Sequence, residues 1–392
     1  MPDKNKRKRS IYLLPLIFAV IIGMVMGILI SLLENRFPGA SEGIQGSLVG
    51  FIVFMGFFAI LLLAGLVHIV LHEAGHLLFG LLSGYRFLSF RIGSFVLIRD
   101  QGQFKIRRFN IPGTAGQCLM IPPPMNDGNY PFVLYNLGGG LVNLLLGLPA
   151  LFAGLFIPSI QYPFNIILVL FGAAGLFFGL TNLIPLRIGG IANDGANIRI
   201  LKKDPLARRN FHLHLEVNRL LGQGVRLKDL DLQDFVLEED ADLASPFNTT
   251  MVLLQHQWHL DKMDFKEAAS SLVLLDPVFD RLLPLHQFEI RLEKIFLDLI
   301  SGNSDSIAGE LLDKPLMTYV RTGRRMISKK RFLMAWEGLH KGNIQGAGRL
   351  YAELLLMADQ HPLQGEAEME VMLADHLKGL ITGAALDEPL SD

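Results

Sequence analysis

Three stretches of this chain run without a single Asp, Glu, Lys or Arg, and their lengths restrict what it can fold into. They are residues 11–33 (IYLLPLIFAVIIGMVMGILISLL), 43–71 and 128–186. A helix needs about 20 apolar residues to cross the hydrocarbon of a bilayer. The third run exceeds one span, and Pro158-Ser159-Ile160-Gln161-Tyr162-Pro163 divides it. Four transmembrane helices are therefore expected, near 11–33, 45–82, 132–157 and 164–186. The first reads as a span rather than a signal peptide, because its apolar run is long and no small-residue cleavage site follows cleanly.

Composition agrees. Of 392 residues, 51% are hydrophobic and 19% charged, against about 25% charged in ordinary soluble domains. Residues 1–195 carry 13 Lys/Arg against 7 Asp/Glu, while the remainder carries 23 against 30. No basic stripe interleaves with aromatics, so no nucleic-acid partner is expected. A single cysteine, Cys118, excludes a disulfide framework, a Cys-rich zinc domain and an iron–sulfur site.

Lys and Arg in short loops set orientation. They collect in the tail (Lys4, Lys6, Arg7, Lys8, Arg9), in the loop after the second span (Arg86, Arg91, Arg99, Lys105, Arg107, Arg108) and after the fourth (Arg187, Arg199, Lys202, Lys203). The first connection has only Arg36, and the third has none. Both termini and the 84–130 loop are expected on the cytoplasmic side of a cell membrane.

The second run ends in His72-Glu73-Ala74-Gly75-His76. Two His at i and i+4 share a helical face and can hold one zinc ion, with the Glu between them as general base. Ionisable groups inside a span are costly and usually functional. His68 lies one turn earlier, but it is about 12 Å along the axis from His76, too far for one ion to bind both. It is expected to pack between helices or support a ligand.

The third ligand is less constrained. No His occurs between 77 and 211 and no Glu between 74 and 215. The position six residues after His76 is Leu82, which excludes the metzincin pattern. Asp100, Asp127, Asp194, Asp204 and Cys118 remain. Asp194 is favoured because it follows the fourth span on the side of His72 and His76, and Asp127 is its main rival.

These features together resemble the site-2 proteases, the zinc intramembrane metalloproteases. Besides the HExxH in a span, Gly138-Gly139-Gly140-Leu141-Val142-Asn143 is similar to that family's Ala-Gly-Pro-x-x-Asn. Asn182-Leu183-Ile184-Pro185 followed by Asp194-Gly195 is similar to its Asn-x-x-Pro…Asp-Gly. The resemblance covers roughly residues 45–200. It implies one zinc per chain held by His72, His76 and Asp194, with Glu73 as catalytic base. Asn143 and Asn182 would position substrate or steady the oxyanion. Gly140 stands where the family has Pro. A longer gap than the family's separates Pro185 from Asp194, and residues 187–193 are expected to add a turn. Both departures mark a divergent subfamily with a C-terminal helical domain.

Between the second and third spans, Phe90–Arg99 and Gln103–Phe109 read as strands joined at Asp100-Gln101-Gly102, a cytoplasmic hairpin within 86–122. Its edge could pair with unwound substrate, as the resemblance also implies. Cys118 is read as a small core residue.

From 201 to 392 the chain reads as a soluble, all-α cytoplasmic domain. Asp264–Ala268, Ser304–Ala308 and Asn343–Ala347 align on their alanines at spacings of 40 and 39 residues. This loosely resembles tetratricopeptide-like helix pairs, whose usual period is about 34, and would offer a face to a protein partner. Arg321, Arg324, Arg325, Lys329, Lys330 and Arg331 are read as a solvated helix face. The expected whole is a mainly α membrane protein: a basic tail (1–10), a transmembrane zinc protease domain (11–200) and the helical domain. Its expected activity is cleavage of transmembrane or membrane-embedded peptides near the cytoplasmic face. The alternative is a catalytically silent adaptor that grips a partner helix and recruits cytosolic proteins.

Overall fold

The computed structural model describes residues 48–100, 103–108, 114–188, 191–302 and 313–387. The expected span at 11–33 lies outside them. Two compact units result: one joins the segment up to Phe79 with Tyr135–Asn197, and the other joins Gly80–Leu134 with the chain from Ile198 onward.

The first unit is built on apolar helices. Helix α1 is Leu48–Leu82, α2 is Phe132–Phe156 and α3 is Phe164–Leu183. Among the described residues, three segments are long and apolar enough to span a membrane: Met55–Leu82 within α1, α2 and α3. At about 1.5 Å per residue even the shortest, 20 residues, reaches about 30 Å, the thickness of bilayer hydrocarbon. Leu62, Leu63, Leu66, Leu78 and Leu81 are exposed on α1, as are Leu145, Phe152 and Phe156 on α2. The break at 158–163 falls where the two prolines forecast it.

Helices in lipid associate through small residues that admit close backbone approach. Here glycines do this. A Cβ on Gly75 of α1 would lie 2.3 Å from the Gly138 carbonyl oxygen of α2, so only a hydrogen fits. Between α2 and α3, a Cβ on Gly172 would lie 2.5 Å from the Leu151 amide. Phe57 of α1 packs with Ile166 and Leu170 of α3 in a small buried cluster.

The second unit begins with a sheet: β1 (Arg86–Ile92), β2 (Phe95–Asp100), β3 (Gln103–Arg108) and β4 (Gly116–Ile121). All pairs are antiparallel, in the order β3-β2-β1-β4. The β2–β3 hairpin is as read, with Asp100 opposite Gln103. The single expected hairpin is corrected in two ways. The stretch Phe90–Arg99 is two strands, because Gly93 adopts a φ of +58° that reverses the chain. Gly116–Ile121 forms a further strand on β1, with buried Cys118 opposite Phe90.

After α3 come β5 (Arg187–Ile188), β6 (Ile191–Ala192) and α4 (Asp194–Lys203). Helices α5 (Pro205–Gly222), α6 (Pro246–Asp261), α7 (Phe265–Val273), α8 (Pro284–Ile300), α9 (Lys314–Thr322), α10 (Ile327–Ala335), α11 (Ile344–Asp359) and α12 (Gln364–Asp387) follow. Helix α5 packs on β4. Arg107 of β3 donates to the His361 and Asp359 carbonyls, at 2.9 and 3.2 Å. The aligned motifs start helices. Asp264 Oδ1 caps α7 by accepting from Glu267 N, and Asn343 Oδ1 caps α11 by accepting from Gly346 N. Ala268 and Ala347 are buried in one core with α6, α8, α10 and α12. Ser304–Ala308 lies outside the described residues.

The basic run is not one solvated face. Arg321, Arg324 and Arg325 are exposed, but Lys329, Lys330 and Arg331 are buried. Each buried cation has a carboxylate: Glu289 for Lys329, Glu353 for Lys330, and Glu293 and Glu370 for Arg331. Those partners sit 20 to 40 residues away, beyond the reach of a local charge pattern. Burial favours the neutral form of both Arg331 partners. The guanidinium outweighs it at Glu293, holding that carboxyl well below the usual carboxylate range. At Glu370 burial prevails and pushes the carboxyl up to about 7. A raised folded-state pKa contributes stability that is full below the unfolded value and lost as pH rises through about 7. Glu370→Gln, neutral throughout, is therefore expected to gain in melting temperature relative to wild type between pH 5 and 8. A thermal-unfolding series of the purified protein checks this, and a difference that is flat with pH would contradict it.

Candidate metal centre

In α1, positions 72 and 76 fall one turn apart on one face. The two Nε2 atoms are 3.1 Å apart, with the rings nearly perpendicular. Asp194 brings its Oδ2 to 3.2 Å from His72 Nε2 and 3.4 Å from His76 Nε2. Among the described residues these three side chains are the group of ligand type close enough to share one ion. Glu73 is buried on the same turn. Three of the expected site residues thus converge, with Glu73 beside them in the helix.

Two observations test whether the donors fit a cation. Tetrahedral ligands held at about 2.0–2.1 Å from zinc lie about 3.3–3.4 Å from one another; the three observed separations are 3.1, 3.2 and 3.4 Å. Asp194 Oδ2 is also a buried oxygen with no hydrogen-bond partner, although two imidazole nitrogens stand close to it. Burial opposes ionisation of Asp194. The neighbouring His76 and His72 imidazoles outweigh it, holding the carboxyl well below the usual carboxylate range. The donor set fits a divalent ion of zinc's size.

The surrounding backbone fixes each ligand. His76 Nδ1 lies 2.7 Å from the Tyr135 carbonyl, which can only accept. The proton therefore sits on Nδ1 and a neutral ring has its lone pair on Nε2. The His72 ring lies against Gly139, where a Cβ would fall 2.4 Å from its Cε1 and 2.6 Å from both ring nitrogens. That contact explains the glycine run on α2 better than flexibility does.

Asp194 is delivered by a side chain that the sequence reading passed over. Asn193 Nδ2 donates to the Thr181 and Ile184 carbonyls, at 2.6 and 2.7 Å. Its Oδ1 accepts from Leu186 N at 3.0 Å and from Ala196 N at 2.9 Å. The last bond caps α4, and the first two tie its start to the end of α3. The extra residues after Pro185 add a turn, as expected, in which Arg187–Ile188 pairs antiparallel with Ile191–Ala192. Insertion and site are thus compatible. The signal was present: an Asn three residues before a free helical N–H is an N-cap pattern. Gly195 completes the approach, since a Cβ there would lie 2.2 Å from the Leu183 carbonyl.

The other candidates fall as follows. Asn143 is fully buried on α2, between His68 and His72. Asn182, on α3, donates to the Phe178 carbonyl one turn back in its own helix, at 2.9 Å. Asp127 is exposed at φ +48° in the turn closed by Asn126 and Asn129, and takes no part in the cluster. Asp204 caps α5 through Ala207 N. His68 is buried and reaches the Phe171 carbonyl at 3.0 Å.

No family model, no curated protein and no solved structure matches this chain. The assignment of the centre therefore stands on its own geometry. Gly139→Ala is expected to displace the His72 ring and abolish zinc retention, whereas Gly56→Ala, whose Cβ meets open space on α1, leaves retention unchanged. Metal analysis of the two detergent-purified variants reads this, and a metal-replete Gly139→Ala protein would contradict it.

Proposed function

We propose that the chain is a zinc-dependent intramembrane endopeptidase of the site-2 protease type. The observation that carries this reading is the meeting of His72 Nε2, His76 Nε2 and Asp194 Oδ2 at zinc-ligand spacing, on a helix apolar enough to cross a membrane. A zinc ion bound there supplies a Lewis acid that acidifies water and polarises a peptide carbonyl. Every other step belongs to the protein. His72, His76 and Asp194 would hold the ion. The Glu73 carboxylate takes the proton of the attacking water on one oxygen and passes it to the leaving amine. Helices α1 to α3 keep bulk water away, which strengthens each electrostatic contact.

The substrate in this reading is a transmembrane protein or membrane-embedded peptide, cut near the cytoplasmic face. A helix in lipid hides its peptide bonds in its own hydrogen bonds, so it must be extended before it can be cut. β3 and β4 are the outer strands of the sheet, and an outer strand offers unpaired N–H and C=O groups to such a segment. The topology that accompanies the proposal has four spans, with 11–33 as the first, and both termini on the cytoplasmic side of a cell membrane. The helical domain selects or gates substrate, with a face for a protein partner. The alternative remains a catalytically silent adaptor that grips a partner helix and recruits cytosolic proteins.

Zinc content separates the two readings. About one zinc per chain is expected in wild type and in Asp127→Ala, and none in His76→Ala or Asp194→Ala. Glu73→Gln should keep its zinc and trap bound substrate, with cleavage of that trapped peptide falling at least about 100-fold. A wild type that holds no zinc when supplied with it, or a Glu73→Gln variant that still cuts, would sink the protease reading.

A further inference from the structure

Two buried side chains near the centre, His68 and Asn143, form a chain of hydrogen bonds that ends on His72. His68 Nε2 is 3.0 Å from the Phe171 carbonyl, His68 Nδ1 is 3.1 Å from the Asn143 amide oxygen, and the Asn143 amide nitrogen is 3.4 Å from His72 Nδ1. His68 and Asn143 have no solvent exposure, and a Cβ on Gly175 would lie 2.6 Å from His68 Cε1, so the ring fills a closed slot.

The polarity of that chain follows from its one fixed end. A backbone carbonyl only accepts, so His68 Nε2 carries a hydrogen. A neutral His68 ring then offers a lone pair on Nδ1, which calls for the amide NH2 group. The Asn143 amide fills the same outline after a half-turn that exchanges its nitrogen and oxygen. In that orientation its oxygen faces His72 Nδ1 and accepts a hydrogen from it. His72 then has its lone pair on Nε2, the atom that stands 3.2 Å from Asp194 Oδ2. The opposite orientation places a hydrogen on His72 Nε2, where it excludes a cation, and requires a charged His68 within a span.

We infer that His68 and Asn143 are positioning residues that select the metal-binding form of His72: Phe171 sets His68, His68 sets the Asn143 amide, and that amide sets His72. The inference rests on the zinc reading above. It gives the two ligand imidazoles matched supports. His76 leans on a backbone carbonyl, and His72 on a side-chain oxygen whose direction a second histidine controls. Supports of this kind typically raise metal affinity 10- to 100-fold.

The experiment is zinc affinity of the full-length protein in detergent, by competition with a chromophoric chelator. The variants are Asn143→Leu, Asn143→Asp, His68→Leu, and His68→Leu combined with Asn143→Asp. Asn143→Leu should weaken zinc binding about 10- to 100-fold. Asn143→Asp should stay within about threefold of wild type, because a carboxylate accepts from His72 Nδ1 in either orientation. His68→Leu should weaken binding about tenfold alone and hardly at all in the Asn143→Asp background, where no amide remains to turn over. A merely structural role predicts the reverse: a buried carboxylate harms the site as much as leucine does, and the loss from His68→Leu is the same in both backgrounds. Either result overturns the inference. If Asn143→Leu fails to fold, the two His68→Leu comparisons decide. A wild type that takes up no zinc would sink the metal centre itself, an outcome distinct from variants that bind unequally.

Discussion

Close backbone contact between α1 and α2 is the constraint on which the centre depends. Two helices this apolar are held together at their crossing by packing at short range and by interhelical hydrogen bonds. Gly75 and Gly138 permit that range, with room for hydrogens only. Three features of the site follow from it. The His72 ring slides over Gly139, His76 Nδ1 reaches the Tyr135 carbonyl, and Asn143 comes within reach of His68 and His72. A larger residue at the crossing would separate the helices and break all three.

Asp194, the third member of the cluster, is placed by a different device. Asp194 belongs to no span. It is the first residue of a polar helix whose start is tied to the end of α3 by Asn193, with Gly195 pressed against the Leu183 carbonyl. A carboxylate on a loose loop would lose much of its binding energy to ordering. Here four hydrogen bonds from one amide side chain hold the backbone beside it. The β5–β6 pair takes up the extra residues between Pro185 and that amide, so the length of the insertion is decoupled from the position of the ligand.

The helical half uses charge in another way. Lys329, Lys330 and Arg331 are buried on α10 and pair with carboxylates of α8 (Glu289, Glu293), α11 (Glu353) and α12 (Glu370). Arg331 also lies over the Phe296 ring, with its guanidinium carbon 4.0 Å from the centroid. Buried pairs of this sort add little net stability over apolar packing, but removing one partner is costly. They oppose sliding of α8, α10 and α12 past one another, because any other register strands a charge in the core.

Much of this was legible in the residues alone. Long uncharged runs mark apolar helices because nothing in a hydrocarbon layer repays the burial of a charge, and the break at 158–163 follows from proline chemistry. The HExxH spacing places two imidazoles on one face because a helix repeats every 3.6 residues. Asp264 and Asn343 announce helix starts through capping, a property local in sequence. What remained hidden depends on partners distant in the chain. A run of basic residues reads as surface until carboxylates from other helices enclose it. One stretch reads as a strand until Gly93 turns and β4 supplies a neighbour. Asp194 joins His72 and His76, and Asn143 becomes a neighbour of His72, through helix contacts that no local pattern encodes. Sequence determines which groups can perform the chemistry, since that follows from residue type and helical period. The tertiary structure alone decides which of them meet, because glycine-wide helix crossings and one asparagine set distances to a fraction of an ångström.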